Sequence, residues 1–96
     1  LQPAQISAQQ SLQLLLLNNL WRGLSQGGTL LYSTCSVFDE ENDQVIQQFV
    51  SANGDAVVIP LQLPYGHATQ FGWQMLPTEP LTDGFYYATI RKVAQR

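Results

Sequence analysis

Cys35 is the residue of this chain best suited to nucleophilic chemistry. It is the only cysteine in the 96 residues, and it follows an apolar run that ends in Ser33 and Thr34. The hydroxyl groups of Ser33, Thr34 and Ser36 are donors for a thiolate or for a substrate bound beside it. Carboxylates at positions 39–41 indicate a helix start, whose positive end favours the thiolate form. We therefore take Cys35 as a candidate catalytic nucleophile and the three hydroxyl residues as support for a substrate pocket.

Two other hypotheses explain the same cysteine. Free cysteine is among the most buried residue types, so the chain could be a non-catalytic α/β interaction module with a structural, buried cysteine. Alternatively, the chain could be a free-standing thiol hydrolase in which His67 activates Cys35. His67 lies in a segment rich in proline and glycine, where a solvated loop histidine is the simpler interpretation. The exposure of Cys35 and its separation from His67 distinguish these hypotheses.

The first helix and the first strand lead the chain to Cys35. Apolar residues at three- and four-residue spacing predict a helix over about residues 3–24, and its broad apolar face indicates cover on more than one side. Gly27-Gly28 ends that helical pattern. The run Thr29–Thr34 predicts a strand buried on both faces, as in a parallel sheet. Cys35 would then lie at the carboxyl end of a strand, where open α/β sheets place their chemistry.

A second helix is predicted after Cys35. Asp39 is a suitable N-cap, and Glu40 and Glu41 place negative charge in the first turn. The pair Asn53-Gly54 ends the helix. Four apolar residues at helical spacing form its expected buried stripe: Val45, Ile46, Phe49 and Val50.

The remainder of the chain completes an α/β pattern. Residues 56–61 predict a second strand, parallel to the first, and residues 85–90 predict a final strand after a linker-like loop over 60–82. A short structured segment is expected around residues 73–76 within that loop. The order helix-strand-helix-strand-loop-strand indicates a single partial domain over residues 1–96, from the carboxyl-terminal part of a doubly wound α/β fold.

Composition limits the classes of partner and site. Four basic residues against seven acidic ones give a net charge of −3, so the chain has no basic face for binding nucleic acid unaided. One cysteine and one histidine exclude an internal disulfide and a zinc site, and they fit a reducing, cytoplasmic setting. The apolar run at 14–17 is too short to cross a membrane. Only 11% of residues are charged, and the chain does not begin with Met; both features indicate a piece of a larger protein.

Three segments of the chain resemble one family of enzymes. Residues 27–36, Gly-Gly-Thr-Leu-Leu-Tyr-Ser-Thr-Cys-Ser, followed by Glu40-Glu41-Asn42, are similar to the catalytic-cysteine motif of the Sun (Fmu) ribosomal RNA cytosine-C5 methyltransferases. Residues 72–77, Gly-Trp-Gln-Met-Leu-Pro, resemble the family's Gly-x-Gln-x-Leu-Pro segment. Residues 83–88, Asp-Gly-Phe-Tyr-Tyr-Ala, resemble its Asp-Gly-Phe-Phe-x-Ala strand. The resemblance extends over nearly the whole chain.

The resemblance implies a fold and a mechanism. The fold would be the carboxyl-terminal part of a Rossmann-like methyltransferase sheet, with the last strand antiparallel and between the other two. Cys35 would attack C6 of a cytosine in ribosomal RNA before the methyl group of S-adenosylmethionine is transferred to C5. The cytosine would have to be unstacked to reach the thiolate. Phe71 and Trp73 could stack on RNA, or they could simply pack on the sheet.

The resemblance also implies that parts of the enzyme lie outside this chain. The family's Gly-rich cofactor loop, its Asp-x-Pro-Cys-Ser segment and its RNA-binding domain have no match here, so we expect no cofactor-binding residues in the chain and no activity from it alone. The partners implied are ribosomal RNA, reached through the full-length protein, and the missing half of the catalytic domain. The edge of the strand Thr29–Thr34 would be exposed without that half, and exposed edges favour self-association.

Overall fold

The computed structural model describes residues 3–77 and 84–94, with the side chains of residues 3–7 left aside. Helix α1 is Pro3–Gly23, and helix α2 is Asp43–Ala52. Strands β1 (Thr29–Thr34), β2 (Ala56–Ile59), β3 (His67–Ala68), β4 (Trp73–Met75) and β5 (Phe85–Lys92) form one sheet. A 3-10 turn, Asp39–Glu41, lies between β1 and α2. The predicted helices and the three predicted strands are therefore present, in the predicted order.

The last strand lies at the centre of the sheet. One edge of β5 pairs with β1 along its length, from Thr34 opposite Tyr86 to Thr29 opposite Arg91. The other edge pairs with β4 near its start and with β2 near its end. All of these pairings are antiparallel, so β1 and β2 run parallel to each other with β5 between them. The topology expected from the family resemblance is confirmed.

Both helices pack against one face of this sheet. Trp21 of α1 meets Phe49 of α2 edge-on, with ring centroids 5.1 Å apart, and both side chains are buried. The sheet contributes residues that alternate along β1, β2 and β5, as the two-residue period of a strand requires. The core consists of Leu17, Trp21, Tyr32, Val45, Ile46, Phe49, Ala56, Tyr86, Ala88 and Ile90. Three residues of the predicted stripe of α2, Val45, Ile46 and Phe49, belong to that core, and Val50 packs against it while half-buried.

Two predictions are wrong for this chain taken alone: that strand β1 is buried on both faces, and that helix α1 is covered on more than one side. Tyr32 is the buried residue of β1, whereas Leu31, on the opposite face of the sheet, is 61% exposed. Helix α1 buries Leu17 and Trp21 but leaves four leucines about half exposed: Leu12, Leu15, Leu16 and Leu20. The apolar patterns of β1 and α1 are typical of elements buried on two sides, but within the described part of this chain each packs on one side only.

The start of the second helix also differs from the prediction. Asp39 begins the 3-10 turn rather than capping α2, and its Oδ2 accepts a hydrogen bond from Gln44 Nε2 at 3.0 Å. Asn42 occupies the N-cap position of α2 but makes no side-chain capping hydrogen bond. Its side-chain amide bonds instead to Ser36 and Gln74.

The segment expected to be a loop contains two short strands. Strands β3 and β4 pair with each other, and β4 extends the sheet at β5. Residues 78–83, including Asp83 of the family-like strand motif, lie outside the described residues. Among the helices that the structure describes, none is long and apolar enough to cross a membrane.

Candidate functional site

Cys35 lies immediately after β1 and its side chain is exposed. It lines an open groove of about 630 Å³ between α1 and the carboxyl end of β1. The groove walls combine residues of α1 (Gln9, Leu12, Gln13), the predicted hydroxyl residues (Ser33, Thr34, Ser36), Phe38 and Glu41. The hypothesis of a structural cysteine buried by its own chain is therefore wrong. A thiol in this position can reach a molecule that enters the groove.

The hydroxyl groups on either side of Cys35 hydrogen-bond to the chain itself. Thr34 Oγ1 donates to Oδ1 of Asn42 at 2.6 Å and accepts from the backbone N–H of Ser36 at 3.2 Å. Ser36 Oγ accepts from the backbone N–H of Phe38 at 3.0 Å. The structure thus places Thr34 and Ser36 beside the groove, where their hydroxyl groups shape the turn. Ser33 is exposed on the opposite face of the sheet from Thr34.

Two buried amide side chains connect this turn to the rest of the sheet. Asn42, only 2% exposed, donates from Nδ2 to the carbonyl of Ser36 and to Gln74 Oε1, each at 2.9 Å. Gln74 of β4 donates from Nε2 to the carbonyls of Ser36 at 3.3 Å and of Met75 and Phe85 at 3.1 Å. Sequence reasoning missed both residues, although Asn42 and Gln74 lie inside the quoted family-like motifs. Their hydrogen bonds hold together segments that are distant in the sequence.

Asp43 forms a second buried polar cluster beside the first. Its Oδ1 accepts from the hydroxyls of Tyr86 at 2.7 Å and Thr69 at 2.8 Å, and from the backbone N–H of Phe71 at 3.2 Å. Its Oδ2 accepts from the backbone N–H of Gln70 at 2.9 Å. The Asp43 carboxylate therefore fixes the turn before β4.

Two buried tyrosines adjoin these clusters. Burial, and secondarily the charge of Glu41, raises the pKa of Tyr32 to about 12. Burial, followed by the hydrogen bond to Asp43, raises the pKa of Tyr86 far above its ordinary value. Tyr32 donates its hydroxyl to the carbonyl of Glu41 at 2.8 Å. Both phenols therefore act as neutral structural donors.

His67 is too far from Cys35 to activate it. Thr34 lies opposite Tyr86, Tyr86 opposite Gln74, and Gln74 opposite His67, so three strand spacings separate β1 from β3. At ~4.8 Å per spacing, this is about 14 Å. The thiol hydrolase hypothesis is wrong for this geometry. No cluster of His, Cys, Asp and Glu that could hold a metal occurs among the described residues.

The aromatic residues of the β3–β4 region have structural contacts. Phe71 packs against the core, and Trp73 donates its indole N–H to the carbonyl of Tyr65 at 2.6 Å. These contacts favour the packing interpretation of the two residues over stacking on RNA.

The Gly27-Gly28 turn does not have the hydrogen-bonding pattern of a nucleotide-binding loop. The Gly27-Gly28 turn lies at the opposite end of β1 from Cys35. Its amide groups are engaged, because Gly27 N–H donates to the carbonyl of Lys92 at 2.6 Å and Gly28 N–H to that of Ser25 at 2.9 Å. A nucleotide-binding loop needs free backbone N–H donors, and the two glycine amides of this turn are already bonded within the chain.

The fold defines a class of protein: the carboxyl-terminal part of an α/β methyltransferase domain, here with an exposed cysteine after β1. Residues 1–91 match the family described as 16S rRNA methyltransferase RsmB/F, and the chain belongs to that family. The match covers both helices and the Cys35 segment.

Similar proteins and structures agree with this assignment. The chain is 48% identical over 92 residues to ribosomal RNA small subunit methyltransferase B of Pasteurella multocida, covering 96% of this chain and 20% of that protein. It is 43% identical over 91 residues to a probable ribosomal RNA small subunit methyltransferase B of Coxiella burnetii, covering 95% and 21%. The chain thus spans about a fifth of the length of these relatives.

Solved structures share the fold. A methyltransferase homolog from Pyrococcus horikoshii matches with a TM-score of 0.84 and 33% identity, over 97% of this chain and 34% of that one. NSun6 from Pyrococcus horikoshii, solved with SFG, an analogue of S-adenosylmethionine, matches with a TM-score of 0.80 and 25% identity, over 93% and 23%. The predicted fold class, a carboxyl-terminal part of a methyltransferase sheet, is confirmed.

Proposed function

We propose that this chain is the nucleophile-bearing part of an S-adenosylmethionine-dependent rRNA cytosine-C5 methyltransferase. The observation that carries the proposal is the exposed thiol of Cys35 at the carboxyl end of β1, facing a groove large enough for a nucleobase. Family membership supports the rRNA methyltransferase class. The cytosine-C5 chemistry is what the resemblance of the Cys35 segment implies, and it agrees with the ability of a thiolate to add to C6 of a pyrimidine.

The chemical step assigned to Cys35 is addition to the cytosine ring. The thiolate sulfur bonds to C6, and the electron pair of the C5=C6 double bond moves to C5, which becomes nucleophilic. C5 would take its methyl group from S-adenosylmethionine bound by the parent protein, and the cofactor would leave as S-adenosylhomocysteine when its S–CH3 bond breaks. Transfer of the C5 proton to a general base of the parent protein then restores the C5=C6 bond and expels the thiolate, so that the cysteine is regenerated. Covalent catalysis of this kind divides one difficult substitution into easier steps.

The parent protein supplies what this chain lacks. The exposed leucines of α1 and the open face of β1 are apolar surfaces that the missing half of the catalytic domain would cover. Ribosomal RNA would be held by parts of the parent with a basic surface, because this chain carries a net charge of −3. The isolated chain is therefore expected to be inactive, and the parent is expected to act in the cytoplasm.

The outer edge of β1 supports a further expectation for the isolated chain. Strand β1 pairs with β5 on one side, and the structure describes no strand on the other. A six-residue edge with exposed Leu31 favours pairing with a second copy. Self-association of the isolated chain is thus part of the proposal.

A trapped covalent complex tests the chemistry. In rRNA transcribed with 5-fluorocytidine, fluorine replaces the C5 proton whose loss releases the enzyme, so the adduct persists. The full-length parent should form, in the presence of S-adenosylmethionine, a denaturation-resistant complex joined at the peptide that contains Cys35. The Cys35→Ala variant should form none, whereas Ser51→Ala, an exposed change on α2, should behave as wild type. An adduct at another residue would contradict the proposal.

A further inference from the structure

Asn42 binds both neighbours of the candidate nucleophile. Its Oδ1 accepts from the Thr34 hydroxyl at 2.6 Å, and its Nδ2 donates to the Ser36 carbonyl at 2.9 Å. Thr34 and Ser36 flank Cys35 directly. We propose that Asn42 is a positioning residue, which holds the Cys35 turn in the geometry needed for attack. The catalytic role of Asn42 rests on the proposed function, whereas its hydrogen bonds to the two neighbours of Cys35 are a property of this chain.

Gln74 of β4 also bonds to the Cys35 turn and to Asn42. Its Nε2 donates to the same Ser36 carbonyl at 3.3 Å, and its Oε1 accepts from Asn42 Nδ2 at 2.9 Å. Gln74 is 6% exposed and is itself fixed within the sheet by donating to the carbonyl of Phe85 at 3.1 Å. The Gly-x-Gln segment of β4 is therefore linked to the cysteine turn through two amides. This gives that distant segment a specific role in presenting Cys35.

An asparagine suits this position because one small side chain must both accept and donate. Alanine would leave the Thr34 hydroxyl without its acceptor and would remove one of the two donors to Ser36. Aspartate would place a carboxylate oxygen against the Ser36 carbonyl and Gln74 Oε1, where a donor is required. Buried polar groups that lose their partners are costly, so the turn would rearrange rather than keep its shape. The thiol would then no longer be held at one position in the groove.

The single cysteine allows a direct test on the whole 96-residue chain. A methanethiosulfonate nitroxide on Cys35 reports the mobility of the turn by electron paramagnetic resonance. We expect Asn42→Ala to move the nitroxide from restricted nanosecond motion toward the faster motion of an unfixed loop. The matched control is Asn53→Ala, because Asn53 lies at the other end of α2 and also makes two side-chain hydrogen bonds, to Phe49 and Asn18. It should leave the nitroxide spectrum unchanged.

A smaller substitution provides the same test if Asn42→Ala does not fold. Thr34→Val preserves shape and removes only the hydroxyl that bonds to Asn42 and Ser36. It should also increase nitroxide mobility, with a far-ultraviolet circular dichroism spectrum like that of wild type. Unchanged nitroxide mobility in the folded variants, or an equal increase in Asn53→Ala, would overturn the proposal that Asn42 fixes the Cys35 turn.

Kinetics of the full-length parent test the catalytic meaning separately. Because misplacing a reacting group by about 1 Å can cost ~100-fold, we expect Asn42→Ala to lower kcat roughly 10- to 100-fold. KM for rRNA should change little, since Asn42 is only 2% exposed and its side chain bonds within the chain. A normal kcat would overturn the positioning role. Increased nitroxide mobility in Asn42→Ala, together with no covalent adduct at Cys35 in the full-length parent, would support the role of Asn42 in fixing the turn and refute the proposed chemistry.

Discussion

Removal of the Asp43 carboxylate should destabilise the chain more than any other single change of an acidic residue among those described. Asp43 is 8% exposed and accepts four hydrogen bonds, two from hydroxyls and two from backbone N–H groups. In Asp43→Ala, the hydroxyls of Thr69 and Tyr86 can turn toward other acceptors. The backbone N–H groups of Gln70 and Phe71 cannot.

The expected magnitude follows from those two backbone donors. A buried donor without a partner costs about 1–3 kcal/mol, so the two together would cost about 2–6 kcal/mol. Both hydrogen bonds are partly buried, and water can compensate in part. Relief from burying an anion opposes the loss as well. We therefore expect the free energy of unfolding to fall by about 2–4 kcal/mol, the lower half of that range.

Urea denaturation of the whole chain measures this change. Tryptophan fluorescence follows unfolding, since Trp21 is buried and Trp73 bonds to Tyr65. The matched control is Asp39→Asn, an exposed carboxylate with one exposed hydrogen bond to Gln44, which should change stability by less than about 0.5 kcal/mol. Equal midpoints for Asp43→Ala and wild type would refute the role assigned to this carboxylate.

Three further predictions concern close packing, pH and association. Gly72→Ala should destabilise the chain by about 3 kcal/mol or more in the same urea assay, because the added Cβ would lie 2.3 Å from the Tyr87 carbonyl oxygen. Gly23→Ala, where nothing lies within 4 Å, should be neutral or stabilising, and similar losses for the two variants would contradict the packing argument. The raised pKa of Tyr32 implies stability that is complete below about pH 10 and lost as the pH rises to about 12, because the unfolded phenol ionises first. Tyr32→Phe should therefore show a shallower decline in unfolding free energy between these values, and an unchanged slope would count against it. Sedimentation velocity should show self-association of the chain that Leu31→Lys reduces, whereas a strictly monomeric wild type at high concentration would exclude it.

Periodicity predicted the elements that depend on local pattern. The strand Thr29–Thr34 and the end of α2 after Ala52 agree with the apolar spacing and the turn residues. The central position of β5 in the sheet was predictable only from the family resemblance, because residues 85–90 alone do not indicate which strands they pair with. The short strands β3 and β4 were not resolved as a pair, because two or three residues carry too little periodic signal.

The supporting residues of the site could not be found from residue type alone. Hydroxyls near a thiol can assist it, which makes Thr34 and Ser36 candidates from the sequence, yet their hydrogen bonds go to Asn42 and to backbone groups. Asn42 and Gln74 are 32 positions apart and meet only once β4 is paired with β5. Their pairing is a consequence of tertiary structure. The place of Cys35 directly after a strand could be predicted, because the strand pattern before it is a local feature, whereas its role as nucleophile stays a prediction.

Methyl transfer by the full-length parent carrying Cys35→Ala tests the central claim most directly. The assay follows transfer of a labelled methyl group from S-adenosylmethionine to C5 of cytosine in 16S rRNA, with Ser51→Ala as the matched surface control. Cys35→Ala is expected to lower the rate by about 10³-fold or more, because a covalent nucleophile is removed, while the control keeps its activity. Methylation by Cys35→Ala at a rate close to that of wild type would contradict the role of Cys35 as nucleophile.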